Sequence, residues 1–392
     1  MKRSIKIAVA AAIALSATSA FATNGDNLIA VGAKSRGMGG TGIGISHGAE
    51  SALANPAMIS TVKGTEISFG GTVFMPDVET NVNMGSGSVK SDADLSVIPE
   101  VAIAQKVSNN FSWGIGMFGT AGMGTDYRDQ ATMAGNYQMV TNLQLMQFAV
   151  PLAYSTNGLT VAVAPIMQYG SLDIQYNNGT ARGTGVAQDF GVGYSIGAGY
   201  TMGDITLGAV YKSAIDMNYD RVLTTAAAGF SLTDITDNLE QPAEMGAGIS
   251  YKMGANTFAL DYKKIKWSDA KGYKQFGWDD QNVYALGYAY DAGSWTARLG
   301  YNYAKSPIKE LPAAGGVGTA KNVLNLLGFP AIVEEHYTVG ASYELSKLTS
   351  LDVAYVYVPE TEEHYNIGAG AGYETTTKHS QDAVSVQVNF AF

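Results

Sequence analysis

Along most of the chain apolar and polar residues alternate one for one. From Trp295 to Tyr303 one face carries Trp295, Ala297, Leu299, Tyr301 and Tyr303, and the other Thr296, Arg298, Gly300 and Asn302. Tyr337, Val339, Ala341 and Tyr343 likewise oppose Thr338, Gly340 and Ser342, and Ile205 to Lys212 and Leu351 to Tyr357 repeat the pattern. A period of two is the signature of a strand, whereas a helix needs apolar recurrence at three and four. The alternation predicts fourteen strands. Seven are expected at 66–76, 97–107, 111–127, 141–155, 159–176, 189–202 and 205–219. Seven more are expected at 242–252, 255–267, 281–290, 294–304, 335–345, 349–358 and 381–392.

The connections narrow the fold class. Short turns such as Ser108-Asn109-Asn110, Thr156-Asn157-Gly158, Gly203-Asp204, Met253-Gly254, Asp291-Ala292-Gly293 and Ser346-Lys347-Leu348 join every second pair of strands. Loops of roughly 12 to 30 residues lie between them. Short–long alternation over an even number of antiparallel strands is the pattern of an outer-membrane barrel. In lipid every backbone polar group must be paired within the protein, so the sheet closes on itself with its apolar face outward. The paired tyrosines Tyr288 and Tyr290, Tyr301 and Tyr303, and Tyr355 and Tyr357 fall near strand ends, where interfacial girdles belong. A soluble β-sandwich is the competing arrangement for the strand signal alone. The last strand sets Val384, Val386, Val388, Phe390 and Phe392 on one face against Ser385, Gln387 and Asn389. A terminal aromatic such as Phe392 looks like the signal read by the outer-membrane insertion machinery.

Composition fits this picture. Charged residues make up 15% of the 392 positions, cysteine is absent, and glycine (47) and tyrosine (23) are abundant. That excludes a disulfide scaffold and argues against a disordered chain. Lys2, Arg3 and Lys6, the apolar run Ile7 to Leu15, and Ala20-Phe21-Ala22 come in the order of a secretory signal peptide cut after Ala22. Cleavage leaves 21 Lys+Arg against 34 Asp+Glu and takes the net charge from −10 to −13, which makes nucleic acid an improbable partner.

Residues 23–64 do not alternate. They are small and glycine-rich, as in Arg36-Gly37-Met38-Gly39-Gly40-Thr41-Gly42-Ile43-Gly44 and Ser51-Ala52-Leu53-Ala54-Asn55-Pro56-Ala57. A fourteen-stranded barrel is too wide for side chains to fill, so a compact leader fits inside it as a plug; the alternative is a periplasmic tail. Gly37-x-Gly39-x-x-Gly42 matches the dinucleotide fingerprint only formally, because no strand precedes it and no acidic partner follows.

The tract Arg36, Gly37, Gly39, Gly40 followed by Asn55, Pro56 and Ala57 resembles the N-terminal hatch of the FadL family, outer-membrane transporters of long-chain fatty acids and hydrocarbons. The resemblance continues in Gln241-Pro242-Ala243-Glu244-Met245, in Lys266-Trp267-Ser268, in Trp295 to Gly300 with Ser306-Pro307 beyond, and in the terminal strand. Many members carry an acidic residue a few positions before Asn-Pro-Ala, where this chain has His47-Gly48-Ala49-Glu50. The expectation is all-β: a monomeric transmembrane antiparallel β-barrel of 14 strands over 65–392, with an N-terminal hatch (plug) in the lumen over 23–64 and a signal peptide over 1–22.

Gly114, Gly116, Gly119, Gly122 and Gly124 crowd the third strand, where clustered glycine marks a bend, a bulge or barrel curvature. The resemblance implies that this strand kinks inward and opens a lateral gate, here at Gly119 and Gly122, through which substrate passes into the outer-membrane lipid. The inward faces look poor in charge, as in Ala285, Gly287 and Ala289. Apolar loop residues, Ala226 to Phe230 and Val323, Leu324, Leu326, Leu327 and Phe329, either line a groove or pack loops together. Family members that carry fatty acids use interior basic side chains; the resemblance points to Lys274 for this role, while another expected basic position falls near Gly170. The candidate ligand contacts are thus Lys274, Leu326, Leu327 and Phe329.

No metal or cofactor site is expected. Glu334-Glu335-His336 and Glu362-Glu363-His364 put neighbours on opposite faces of a strand, which rarely converge on one ion. The expected function is passive transport of hydrophobic molecules, not catalysis. A porin for small polar solutes or an outer-membrane hydrolase is the alternative.

Overall fold

The structure, a computed structural model, describes residues 23–82, 87–130, 137–313, 316–368 and 373–392. The expected signal peptide lies outside them.

Period-two alternation gives one continuous antiparallel sheet. Its wall is a closed ring of fourteen strands. The first seven are β1 (Thr65–Val82), β2 (Ser96–Lys106), β3 (Phe111–Asp126), β4 (Val140–Ala149, resuming as Leu152–Thr156), β5 (Leu159–Asn177), β6 (Ala187–Met202) and β7 (Ile205–Lys212). Then come β8 (Glu244–Met253), β9 (Asn256–Ile265), β10 (Gln281–Asp291), β11 (Trp295–Ala304), β12 (Glu335–Ser346), β13 (Thr349–Asn366) and β14 (Glu374–Ala391). The break in β4 falls at Val150-Pro151, where proline cannot donate to the ladder. Closure comes from β14 against β1, in register from Thr375↔Val82 to Ala391↔Glu66. Phe392 extends the seam by exchanging backbone hydrogen bonds with Thr65.

The faces are inverted relative to a soluble protein. Val339, Leu299, Leu286, Val386 and Ile196 are exposed, while Ser68, Thr72, Ser385, Gln387 and Asn389 are buried in the lumen. Lipid, rather than a protein core, takes the apolar face. Aromatic pairs gather toward both rims: Tyr290–Trp295 (5.8 Å between ring centres) on the side of the short turns, and Tyr262–Tyr284 (5.5 Å) and Tyr301–Tyr337 (5.2 Å) toward the loops. The tight turn before β5 has Asn157 and Gly158 both at positive φ (48° and 81°), the conformation that a two-residue hairpin requires.

Some boundaries depart from the alternation. β7 ends at Lys212 rather than 219, because Ile215 and Asn218 pair only as isolated bridges with Gln241 and Asn238. β1, β13 and β14 run further than expected, and the Thr361–Asn366 stretch of β13 pairs with Glu374–His379. These extensions are polar, so no hydrophobic alternation announces them.

Residues 23–64, the segment expected as the hatch and called so below, are mostly buried against inward-facing residues of the wall, in short turns of helix at Ala33–Arg36, Ser51–Ala54 and Pro56–Thr61. The hatch backbone lies directly on glycines of the wall. A methyl on Gly37 would stand 3.0 Å from Gly340 Cα, and one on Gly300 would overlap the Gly39 amide. Gly39 itself takes φ +68°, which L side chains rarely adopt.

Candidate functional site: the hatch, its cavity and the third strand

Short polar and charged side chains fasten the hatch. Asp261, on β9, accepts the backbone N–H of Gly42 and of Ile43, each at 2.7 Å, and of Gly44 at 3.2 Å. Three successive amides converging on one carboxylate form an anion-binding nest. Arg36 reaches Glu100 of β2 at 2.6 Å and Thr72 of β1 at 2.7 Å, both ends of the ion pair being buried. Asn55 caps the turn that follows, accepting Ala57 N–H at 3.1 Å, and donates to the carbonyls of Ile43 and, on β6, Ala198. Pro56 suits the first helical position because it has no N–H to leave unpaired. Glu50 is buried 3.4 Å from Lys34 and also accepts from Gln387 of β14. The acidic residue ahead of Asn-Pro-Ala is thus present and engaged. His47 Nε2 donates to the carbonyl of Thr41 at 2.8 Å, and burial lowers its pKa to about 3, which keeps the ring neutral.

The third strand is interrupted where its glycines cluster. The register of β3 against β4 slips between Gly119 and Ala121, leaving Thr120 in a bulge. Along its other edge β3 pairs with β2 only from Ser112 to Phe118. Ser96–Pro99 of β2 pair with β1 alone among the described residues. The hatch occupies part of the vacated edge: Asn27 bridges Ala121, and Gly122 N–H donates to Asp26 O at 3.0 Å. Ile98 fills the space beside Gly119, where a Cβ would meet its Cγ2 at 2.5 Å. Gly119 and Gly122 therefore sit at a break in the wall beside the leading end of the hatch.

Asp26 ties this break to the loops. Its carboxylate accepts from the Tyr273 hydroxyl, and Asn27 accepts from Gln241. Burial pushes the Asp26 carboxyl up to about 7, against which the Tyr273 hydrogen bond works only in part. Tyr273 packs edge-on to Trp267 (4.6 Å) and beside Trp278 (4.8 Å).

A cavity of about 90 Å³ lies between hatch and wall and extends from Thr120 of the bulge to Asn302 of β11. Leu28, Val31, Leu53, Val210 and Val283 give it apolar walls. Lys212, Glu244, Asp261 and Lys263 also line it. Glu244 holds both lysines, Lys212 at 3.1 Å and Lys263 at 3.0 Å, so the two cations are balanced by two carboxylates. The expectation of a lumen poor in charge is corrected here. Glu100, Glu244 and Asp261 were not singled out as interior charges because a lone polar residue on a strand reads the same whether it meets a hatch or solvent.

The other expected contacts fall elsewhere. Lys274 is exposed on the short helix Tyr273–Phe276, which turns Tyr273 and Phe276 inward, so its expected place facing substrate in the interior is corrected. Leu326 and Leu327 are fully buried and Phe329 is half-buried; they pack the mouth of the barrel rather than line an open groove. The wall holds that segment through Thr125 to Leu327 O (2.8 Å), Thr141 to Gly328 O (2.5 Å) and Thr377 to Leu326 O (3.1 Å). Gly170 meets the Tyr219 hydroxyl, which takes the space of a basic side chain there. His336 is buried in β12 and His364 is exposed near Glu362, and no group of three metal-ligating side chains occurs among the described residues.

Known proteins share this architecture. The 47 kDa outer membrane protein of Pasteurella multocida is 23% identical over 90% of this chain and 92% of its own. An uncharacterized protein from the phosphoenolpyruvate carboxykinase gene 5′ region of Chlorobium limicola is 46% identical over 19% of this chain and 38% of its own. Among solved structures, the Pseudomonas putida toluene transporter TodX superposes with a TM-score of 0.71 at 18% identity, covering 94% of this chain and 100% of that one. A Pseudomonas aeruginosa FadL homologue gives 0.71 at 14% identity over the same shares. At such identities these structures share the fold. Residues 7–392 match the family described as outer membrane protein transport protein (OMPP1/FadL/TodX), whose members are transport channels and not enzymes, and the chain belongs to that family.

Proposed function

We propose that the protein carries uncharged hydrophobic molecules passively across the outer membrane, by way of the hatch-side cavity and the break in the wall at β3. The observation that carries this reading is the departure of β3 from β2 beyond Phe118, next to the cavity and covered by hatch residues Asp26 and Asn27. A molecule leaving there passes from the cavity, along its apolar side at Leu28, Val31 and Leu53, into lipid. Each methylene so kept from water is favoured by about 0.8 kcal/mol.

The charge pattern supports a neutral substrate over a fatty-acid carboxylate. Lys212 and Lys263 are both engaged by Glu244, and Lys274 lies outside. A carboxylate in the cavity would have to compete with Glu244 for its partners. A polar-solute pore fits less well, because the hatch occupies the lumen and its anchors are buried.

Uptake into proteoliposomes of labelled toluene, decanoate and glucose tests the proposal. Toluene should enter fastest, above protein-free vesicles. Passage of glucose with no gain for toluene would overturn it.

A further inference from the structure

The segment that closes the barrel mouth is fastened through its main-chain carbonyls. Leu324–Gly328 form one π-helical turn, with Phe329 N–H donating back to Leu324 O at 3.2 Å, and Pro330 has no N–H to carry the helix further. The last carbonyls of a helix have no N–H ahead of them and need donors from outside. The wall supplies four. Thr377 Oγ1 donates to Leu326 O at 3.1 Å, Thr125 Oγ1 to Leu327 O at 2.8 Å and Thr141 Oγ1 to Gly328 O at 2.5 Å. His379 Nδ1 donates to Pro330 O at 2.8 Å.

These donors stand on opposite sides of the break in the wall. Thr377 and His379 belong to β14, which pairs with β1, and β1 pairs with β2. Thr125 and Thr141 face each other across β3 and β4, beyond the break. The carbonyls of 326 and 330 thus hold one margin, and those of 327 and 328 the other. The break itself is a window. Below, β2 and β3 stay paired up to Phe118. Above, Asp126 N–H donates to Ser91 Oγ at 2.9 Å, and Asp126 O accepts Asp92 N–H at 2.8 Å. The fastened segment crosses the upper end of this window on the lumen side, where Leu326, Leu327, Thr125 and Thr377 are all fully buried. Its backbone lies against β4, since a Cβ on Gly328 would stand 3.1 Å from Thr141 Cγ2. Parting the margins would break the bonds on one side and leave buried carbonyls unpaired, which opposes the motion.

We propose that Leu326–Pro330 is a strap that ties the two margins together, so that a closed mouth and a narrow window are one state. Released from β3 and β4, the strap leaves the mouth, and the upper part of β3 is free to move away from β2. The use of this window for transport rests on the reading given above, but the strap is testable without transport.

Thr125→Val with Thr141→Val removes both donors on one margin and keeps β-branched side chains that suit a strand. Thr125→Ser with Thr141→Ser keeps the hydroxyls and serves as the control for folding. Window width is read by electron–electron spin resonance on the detergent-solubilised full chain, with labels at Val97→Cys and Phe190→Cys. Both positions are exposed on the outer face, on β2 and β6, and Phe190 is level with Gly119 through Tyr169 and Met146. The valine pair should lengthen the label distance, and the serine pair should match the parent. In proteoliposomes the valine pair should raise toluene uptake about tenfold, the change that the loss of one buried hydrogen bond brings. Gly328→Cys with Thr141→Cys, in the otherwise unlabelled chain, should block uptake when oxidised and restore it on reduction. A label distance unmoved by the valine pair would overturn the strap and leave Ser91, Asp92 and Asp126 to hold the window by themselves. Uptake at the full wild-type rate with the disulfide formed would overturn it as well. A longer distance with no toluene uptake by any variant would uphold the strap and sink the transport reading alone.

Discussion

The main-chain N–H of Gly122 points away from its ladder with β4 and donates to the carbonyl of Asp26 at 3.0 Å. One strand edge of the barrel is thus completed by the plug instead of by its neighbour. An unpaired edge facing lipid is costly, so the hatch must stay there or be replaced when the wall opens.

Locking that contact should stop uptake. Asn27 and Ala121 are directly paired, at a separation that a disulfide can bridge, and the chain has no cysteine of its own. Asn27→Cys with Ala121→Cys should insert normally, take up little toluene when oxidised, and recover on reduction. Full uptake with the bond formed would remove the lateral gate from this position.

Asp261 should control whether the hatch stays seated. Replacing it by alanine leaves the amides of Gly42, Ile43 and Gly44 unpaired in the lumen, at about 1–3 kcal/mol each if no other partner reaches them. Asp261→Asn keeps an acceptor and should be milder. Single-channel recording in planar bilayers should show long open events for the alanine variant, rare ones for asparagine and fewest for the wild type. Identical silent traces for all three would mean that Arg36 and Asn55 suffice to hold the hatch.

The wall of this protein was readable because lipid imposes a simple rule: Val384 and Val386 must face out, Ser385 and Gln387 in. Arg36 and Asn55 drew notice because the small, glycine-rich tract around them breaks the alternation of the wall. The cavity was not readable. Glu244, Lys212 and Lys263 come from three consecutive strands, β8, β7 and β9, and only the register of their pairing sets the three charges side by side on the inner face. Lys274 misled for a local reason: seven residues after Trp267, a single helical turn faces Tyr273 inward and Lys274 outward. The apolar run at Leu326 and Leu327 likewise reads the same whether it lines a groove or, as found, packs a closed mouth.

Opening should depend on pH through Asp26. Its carboxyl is raised from 3.8 to about 7 by burial, with Glu244 adding to the rise and Tyr273 opposing it through its hydrogen bond. The docked hatch therefore prefers the protonated form. That stabilisation is fully present below the ordinary carboxyl range and is lost as pH rises from about 4 toward about 7. Tyr273 stays protonated throughout, since burial and Asp26 hold its pKa well above the usual tyrosine value. Toluene, which does not ionise, should enter faster as pH increases across this window, and Asp26→Asn should flatten the profile near its slow end. A wild-type rate independent of pH would show that the Asp26 contact does not govern opening.

Substrate charge should be set by Glu244. It lies 3.1 Å from Lys212 and 3.0 Å from Lys263, and its removal as a charge leaves the two lysines against Asp261 alone. Glu244→Gln keeps an amide oxygen that both ammonium groups can still reach, so the barrel should insert as before. The cavity then carries one net positive charge. A carboxylate, which in the wild type must displace Glu244, would find a partner waiting. Decanoate uptake should rise about tenfold, equivalent to about 1.4 kcal/mol, with toluene uptake little changed because a hydrocarbon has no charge to respond. Wild-type uptake of decanoate equal to that of the variant would mean that the lysines are already available to carboxylates, and the preference for uncharged molecules would have to be abandoned.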